Sequence, residues 1–171
     1  DKVIDFGADI VMLPFFKSKN EVEKFVEYVN GRCKVCILLE TPEAVENIDS
    51  ILSVNGIDYV HIGLNDLHIG YNMSFMFELL ANGTVEMLCN KIRQKGFEYG
   101  FGGVAQIGQG TLPAEKIIAE HYRLSSSMVI LSRSFCNANK ITDLEELDKL
   151  FAKGVKDIRL YEEILLNKPK D

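Results

Sequence analysis

Short apolar runs alternate along this chain with longer stretches in which apolar residues recur every three or four positions. Asp9 to Pro14, Val35-Cys36-Ile37-Leu38-Leu39, Tyr59-Val60-His61-Ile62, Phe97 to Phe101 and Met128 to Leu131 have the length and content of buried strands. Between the first two, Ser18 precedes Val22, Phe25, Val26 and Val29 at helical spacing, and Asn30-Gly31 closes the segment. Thr41 can cap a helix with Pro42 and Glu43 in its first turn, which places Ala44, Ile48, Ile51 and Leu52 on one face. An irregular connection from His68 to Asn72, a helical piece from Met73 to Leu80 and a helix carrying Val85, Leu88, Cys89 and Ile92 fill the next crossover. Pro113 opens a helix through Ile117, Ile118 and His121, and two amphipathic segments, 143–151 and 155–166, finish the chain. At the other end, Asp1 to Phe6 reads as the close of a helix stopped by Gly7, an abrupt start.

Strands alternating with helices predict an α/β protein with a parallel sheet and right-handed crossovers. Its length of 171 residues suits one core and a single domain, 1–171. Length alone favours a complete doubly wound sheet, because a (β/α)8 barrel typically takes about 250 residues.

The pattern also places chemistry. Glu40 follows the second apolar run and precedes Thr41-Pro42; Asp66 follows the third and comes after Gly63-Leu64-Asn65. If both runs are parallel strands, the two carboxylates share the crevice at the carboxyl ends. Two acids there suit a hard divalent cation, Mg²⁺ or Mn²⁺, with positions left open for substrate. Taken singly, each acid has an ordinary alternative, favourable placement at a helix N-terminus. Among the histidines, His68 lies where it can reach the crevice as a catalytic or substrate-contacting group, His61 reads as a packed strand residue and His121 as peripheral. Arg133 reads as a surface or packing residue. The stripe Phe75, Met76, Leu79 and Leu80 reads as core or subunit interface.

Composition narrows the partners. A net charge of −6 with no basic run argues against nucleic acid. No apolar run is long enough to span a bilayer and no signal core opens the chain, so a cytoplasmic protein is expected. Cys33-Lys34-Val35-Cys36 leads into a strand rather than opening a helix, which disfavours a redox pair; the cysteines read as reduced core residues. Gly100-Phe101-Gly102-Gly103-Val104-Ala105 follows a strand but lacks the acidic partner a dinucleotide needs, so a wide loop with Gln106 as a polar contributor is the better reading.

The segments Leu38-Leu39-Glu40-Thr41-Pro42-Glu43-Ala44 and Gly56-Ile57-Asp58-Tyr59-Val60-His61-Ile62-Gly63-Leu64-Asn65-Asp66-Leu67, with Gly7 to Pro14 upstream, resemble the HpcH/HpaI aldolase and citrate lyase family. The resemblance covers most of residues 1 to 135 and implies a partial TIM (β/α)8 barrel holding about strands four to eight in sequence order, with the first three outside the chain. It further implies that Glu40 and Asp66 ligate the cation, and that the backbone at Gly63, Leu64 and Asn65 approaches the substrate carboxylate. The implied reaction is carbon–carbon cleavage of a small 2-oxo or acyl acid; an open half barrel, with two exposed strand edges, is expected to be poorly stable or to associate with another copy. The family's arginine and proton-transferring histidine would come from the absent portion, and Leu38 replaces a family glutamine that donates to a pyruvyl group. Two other readings stand beside this one: a complete flavodoxin-like binding module, and a noncatalytic lyase-like protein.

Overall fold

The computed structural model describes residues 1–136 and 143–168. In chain order the elements are α1 (Lys2–Asp5), β1 (Ile10–Leu13), α2 (Lys19–Val29), β2 (Lys34–Leu39), α3 (Pro42–Glu46), α4 (Ile48–Ile51), β3 (Tyr59–Ile62), α5 (Leu64–Gly70), α6 (Glu78–Ala81), α7 (Thr84–Gln94), β4 (Glu98–Val104), α8 (Ala114–Arg123), β5 (Met128–Leu131) and α9 (Leu144–Leu166). Strand order through the sheet is β1-β2-β3-β4-β5. No strand steps over another, so there is no switch point, and the flavodoxin-like alternative is ruled out. Chain length misled here: the order is that of a partial (β/α)8 barrel, the α/β class implied by the family resemblance.

Two compact units form, Asp1–Gly102 and Gly103–Asp171. In the first, the parallel register aligns Met12 with Cys36, Cys36 with Tyr59 and Tyr59 with Glu98, and aligns Leu38 with His61 and His61 with Gly100. Successive residues of a strand face opposite ways, so these alignments sort the sheet into two faces. One carries Val35, Ile37, Leu39, Val60, Ile62, Tyr99 and Phe101, all buried. Val22 and Val29 of α2 are buried too, as are Ala44, Ile48, Ile51 and Leu52, the apolar set expected after Thr41, and Val85, Leu88, Cys89 and Ile92 of α7. That set is split between α3 and α4 by Asn47, which ends one helix and precedes the next. Ser18 begins α2 with its N–H and hydroxyl both donating to Glu21 Oε2, at 2.8 and 2.9 Å. Asn30 ends the helix in the left-handed region, φ 51°.

The chain turns helical sooner after β3 than its sequence suggested. Leu64–Gly70 is α5, so His68 lies on a helix and not in an irregular connection; the stretch 73–80 contributes only the start of the short α6. Leu64 and Leu67, both fully buried, hold α5 down, an apolar pair too short to register as a helical period. Phe75 and Phe77 pack edge to face with centroids 5.2 Å apart, and Leu79 is buried, so the Phe75 to Leu80 stripe is partly core.

In the second unit, α8 begins after Pro113 and buries Ile117, Ile118 and His121. His121 is therefore a core residue and not peripheral: its Nδ1 lies 2.8 Å from Ser126 Oγ. The two C-terminal segments read as separate are one 23-residue helix, α9. Gly154 explains the difference: a Cβ there would meet Phe135 Cζ at 2.5 Å, so the glycine lets the ring pack flush and does not break the helix. Part of the connection before α9, residues 137–142, lies outside the described residues.

Candidate functional site

Glu40 is the first residue after β2 and is only 3% exposed. Its placement is held from the neighbouring strand. Phe15, just past the end of β1, donates its backbone N–H to Glu40 Oε1 at 3.0 Å. Phe15 does so from the left-handed region, φ 52°, where a bulky side chain is strained. The next residue completes the clamp: the Thr41 hydroxyl donates to Phe16 carbonyl oxygen at 2.8 Å and accepts from Ala44 N–H at 3.2 Å, capping α3.

Gly63 ends β3 and begins α5, beside Glu40. A Cβ at this position would stand 2.8 Å from Glu40 Cβ, 2.9 Å from its Oε2 and 3.3 Å from Leu38 Cδ1. With φ at −84°, Gly63 is required for space and not for conformation. At the far end of α5, a Cβ on Gly70 would meet Pro42 Cδ at 2.7 Å. Two glycines thus let α5 lie close along the 40–42 segment. Asp66 sits in the first turn of that helix, after Gly63, which takes the N-cap position. Asp66 is therefore not the cap, the ordinary role its sequence position suggested.

Burial pushes the Glu40 carboxyl up from its ordinary value; the Phe15 N–H opposes this, and the nearby Asp66 carboxylate adds to it. Leu64 is fully buried and Asn65 exposed, while the first-turn N–H groups of α5 have no partner within their own helix.

His68 goes elsewhere. Two residues along a helix turn through about 200°, so Asp66 and His68 leave α5 on opposite sides. His68 Nδ1 lies 3.3 Å from the Leu64 carbonyl oxygen. The histidine that lies beneath the acids is His61, 2% exposed, with Nε2 donating to Gly102 carbonyl oxygen at 2.9 Å. Burial lowers its pKa, so it is a neutral, packed residue, as its strand position suggested. Gly102, at φ 56°, also makes room for Leu64, whose Cδ1 would be 2.9 Å from a Cβ there. Of the cysteines, Cys36 is buried and its thiol is pushed up to about 11 by desolvation, which makes it inert.

Gly100 to Val104, read as the start of a wide loop, belong to β4, and in the second unit Gln106 of the connection that follows donates through Nε2 to Phe135 carbonyl oxygen at 2.6 Å. Arg133 is exposed. The clamp at Phe15 and Phe16 was not visible in the sequence. Pro14 marked only the strand's end.

Parallel strands in sequence order, with Glu40 and Asp66 beyond adjacent carboxyl ends, define a partial (β/α)8-barrel fold. Comparison with solved structures agrees. An HpcH/HpaI aldolase from Desulfitobacterium hafniense DCB-2 superposes with a TM-score of 0.63 at 23% identity, over 92% of this chain and 66% of that one. The citrate synthase SbnG gives 0.61 at 17% identity, over 95% and 67%. An HpcH/HpaI aldolase/citrate lyase family protein from Burkholderia cenocepacia J2315 gives 0.58 at 14% identity, over 92% and 68%. The chain spans about two thirds of the length of these proteins. No curated protein sequence matches it. Residues 1–78, which include both acids, match the sequence model of the HpcH/HpaI aldolase/citrate lyase family.

Proposed function

We propose that this chain provides the cation- and substrate-binding rim of a carbon–carbon lyase acting on a small 2-oxo or related acyl acid. The observation that carries the reading is buried Glu40 at the carboxyl end of β2, packed against Gly63 at the start of α5, whose first turn carries Asp66. Two carboxylates so close repel unless a proton or a cation joins them. Among the described residues no group of three or more His, Cys, Asp or Glu side chains gathers, so a cation here would rest on these two carboxylates, whose hard oxygens suit Mg²⁺ or Mn²⁺. A divalent cation here supplies Lewis-acid stabilisation of negative charge on a 2-oxo oxygen.

The chain's own residues do the rest. The Phe15 N–H fixes Glu40 Oε1, which leaves Oε2 facing Gly63. The absent side chain at Gly63 keeps that space clear, and the first-turn N–H groups of Leu64 and Asn65 are offered to a substrate carboxylate. In the retro-aldol direction the C3–C4 bond of a 4-hydroxy-2-oxo acid breaks and the C4 hydroxyl gives up its proton. The bonding pair passes to the 2-oxo acid fragment, which is protonated at C3; the products are an aldehyde and a 2-oxo acid, without oxidant or reductant. His68, on the other side of α5, is given no proton-transfer role in this scheme.

Titration of Mn²⁺ followed by electron paramagnetic resonance tests the central step. One ion per chain is expected. Loss of an outer-shell partner typically costs about 10–100-fold in metal affinity, so Glu40→Ala and Asp66→Ala should each weaken binding by at least about tenfold. Unchanged affinity in either variant would refute the assignment.

A further inference from the structure

Backbone pairing between β1 and β2 stops at Leu13 and Ile37, yet the segments beyond them stay joined. The bonds there come from side chains that follow β2. Glu40 Oε1 accepts the Phe15 N–H, the Thr41 hydroxyl donates to the Phe16 carbonyl oxygen at 2.8 Å, and Asn47 Nδ2 donates to the Lys17 carbonyl oxygen at 3.1 Å. These bonds are not equal. The Asn47 bond is exposed, so water competes for both of its partners, whereas the Thr41 bond is buried, between residues only 7% and 2% exposed. Removing the Thr41 hydroxyl deprives a buried carbonyl of its donor, which makes this the costliest of the three anchors to lose.

Phe15 needs such an anchor. A bulky residue at φ 52° persists only where its surroundings over-determine it, and the Phe15 ring, 61% exposed, does little to hold its own backbone. The fixed points are the bonded groups on either side. We infer that Thr41 is the positioning residue of this site: its hydroxyl pins the turn at Phe16, keeps the Phe15 N–H on Glu40 Oε1 and so keeps Oε2 directed at Gly63. Capping of α3 does not account for the residue by itself. The cap uses the hydroxyl as an acceptor, from Ala44 N–H at 3.2 Å, a role other small polar side chains fill; the bond to Phe16 uses it as a donor. What the oriented carboxylate serves rests on the cation reading of Glu40 and Asp66.

The test combines amide hydrogen exchange of the metal-free chain, read by nuclear magnetic resonance, with Mn²⁺ affinity, for the wild type, Thr41→Ser and Thr41→Val. The Ala44 amide reports the cap and the Phe15 amide reports the clamp. Thr41→Val should speed exchange at both amides at least about tenfold and weaken Mn²⁺ binding at least about tenfold. Thr41→Ser keeps the hydroxyl and should leave all three within about threefold of the wild type. Thr41→Ala takes the place of Thr41→Val should that variant fail to fold. Faster exchange at Ala44 alone, or a Phe15 amide released while Mn²⁺ affinity holds, would overturn the inference. A Phe15 amide released by Thr41→Val in a chain whose wild type binds no Mn²⁺ would support the inference and overturn the cation reading.

Discussion

The two faces of the first unit's sheet are built from the same strands and do opposite work. On one, Ile37, Leu39, Val60, Ile62 and Phe101 are fully buried and make a dry core. On the other, Leu38 is half-buried, Met12 is exposed and Glu40 holds a buried carboxyl group whose ionisation the fold disfavours. Because side chains alternate along a strand, one residue separates the two environments: Ile37 belongs to the core, Leu38 to the site.

The sharpest way to break that contrast is to shorten one side chain on each face. Ile37→Ala should cost about 2–5 kcal/mol in denaturant unfolding, since a fully buried residue leaves a cavity; Leu38→Ala should cost clearly less. Equal losses would show that the second face is also core.

Gly63→Ala comes next. The added methyl would collide with Glu40, so overpacking should cost about 1–3 kcal/mol and Mn²⁺ affinity should fall with it. A variant with wild-type melting and wild-type metal affinity would mean that Glu40 moves freely.

Smaller still is the pH response of His61. Its folded pKa lies below the ordinary 6.5 because burial disfavours the charged ring. The unfolded chain therefore binds a proton near pH 6.5 that the folded chain refuses, and stability should decline as pH falls below that value. A His61→Gln variant, measured over the same range, should show a flatter profile.

The smallest effect has the opposite sign. The unfolded chain ionises Glu40 near 4.5 and the folded chain only at higher pH, so the penalty is full above the folded value and vanishes below the unfolded one. Glu40→Gln should then raise the melting temperature of the metal-free protein at neutral pH, while losing Mn²⁺ affinity. A lower melting temperature would show that the Phe15 hydrogen bond outweighs the burial of charge.

Much of this was legible in the sequence, for physical reasons that differ by element. Strand-length apolar runs ending in Glu40 and before Asp66 fixed where the acids lie, because a run's boundaries are local. His61 read correctly as packed because it sits inside such a run. Other features depend on what another part of the chain does. Gly63 read as a glycine for close substrate approach, and it first makes room for Glu40; Gly154, which lies between the two segments read as separate, makes room for Phe135. Phe15 gave no signal at all, since its contribution is a backbone N–H held in an unusual conformation. Chain length pointed to a doubly wound sheet because length reports how much core a chain can build and carries nothing about strand order.

Anomalous diffraction from crystals soaked in Mn²⁺ tests the central claim most directly. The account predicts one strong peak at the carboxyl ends of β2 and β3, about 2.0–2.3 Å from an oxygen of Glu40 and an oxygen of Asp66. A peak elsewhere, or Glu40 and Asp66 sharing only a proton in crystals where Mn²⁺ has entered, would contradict it.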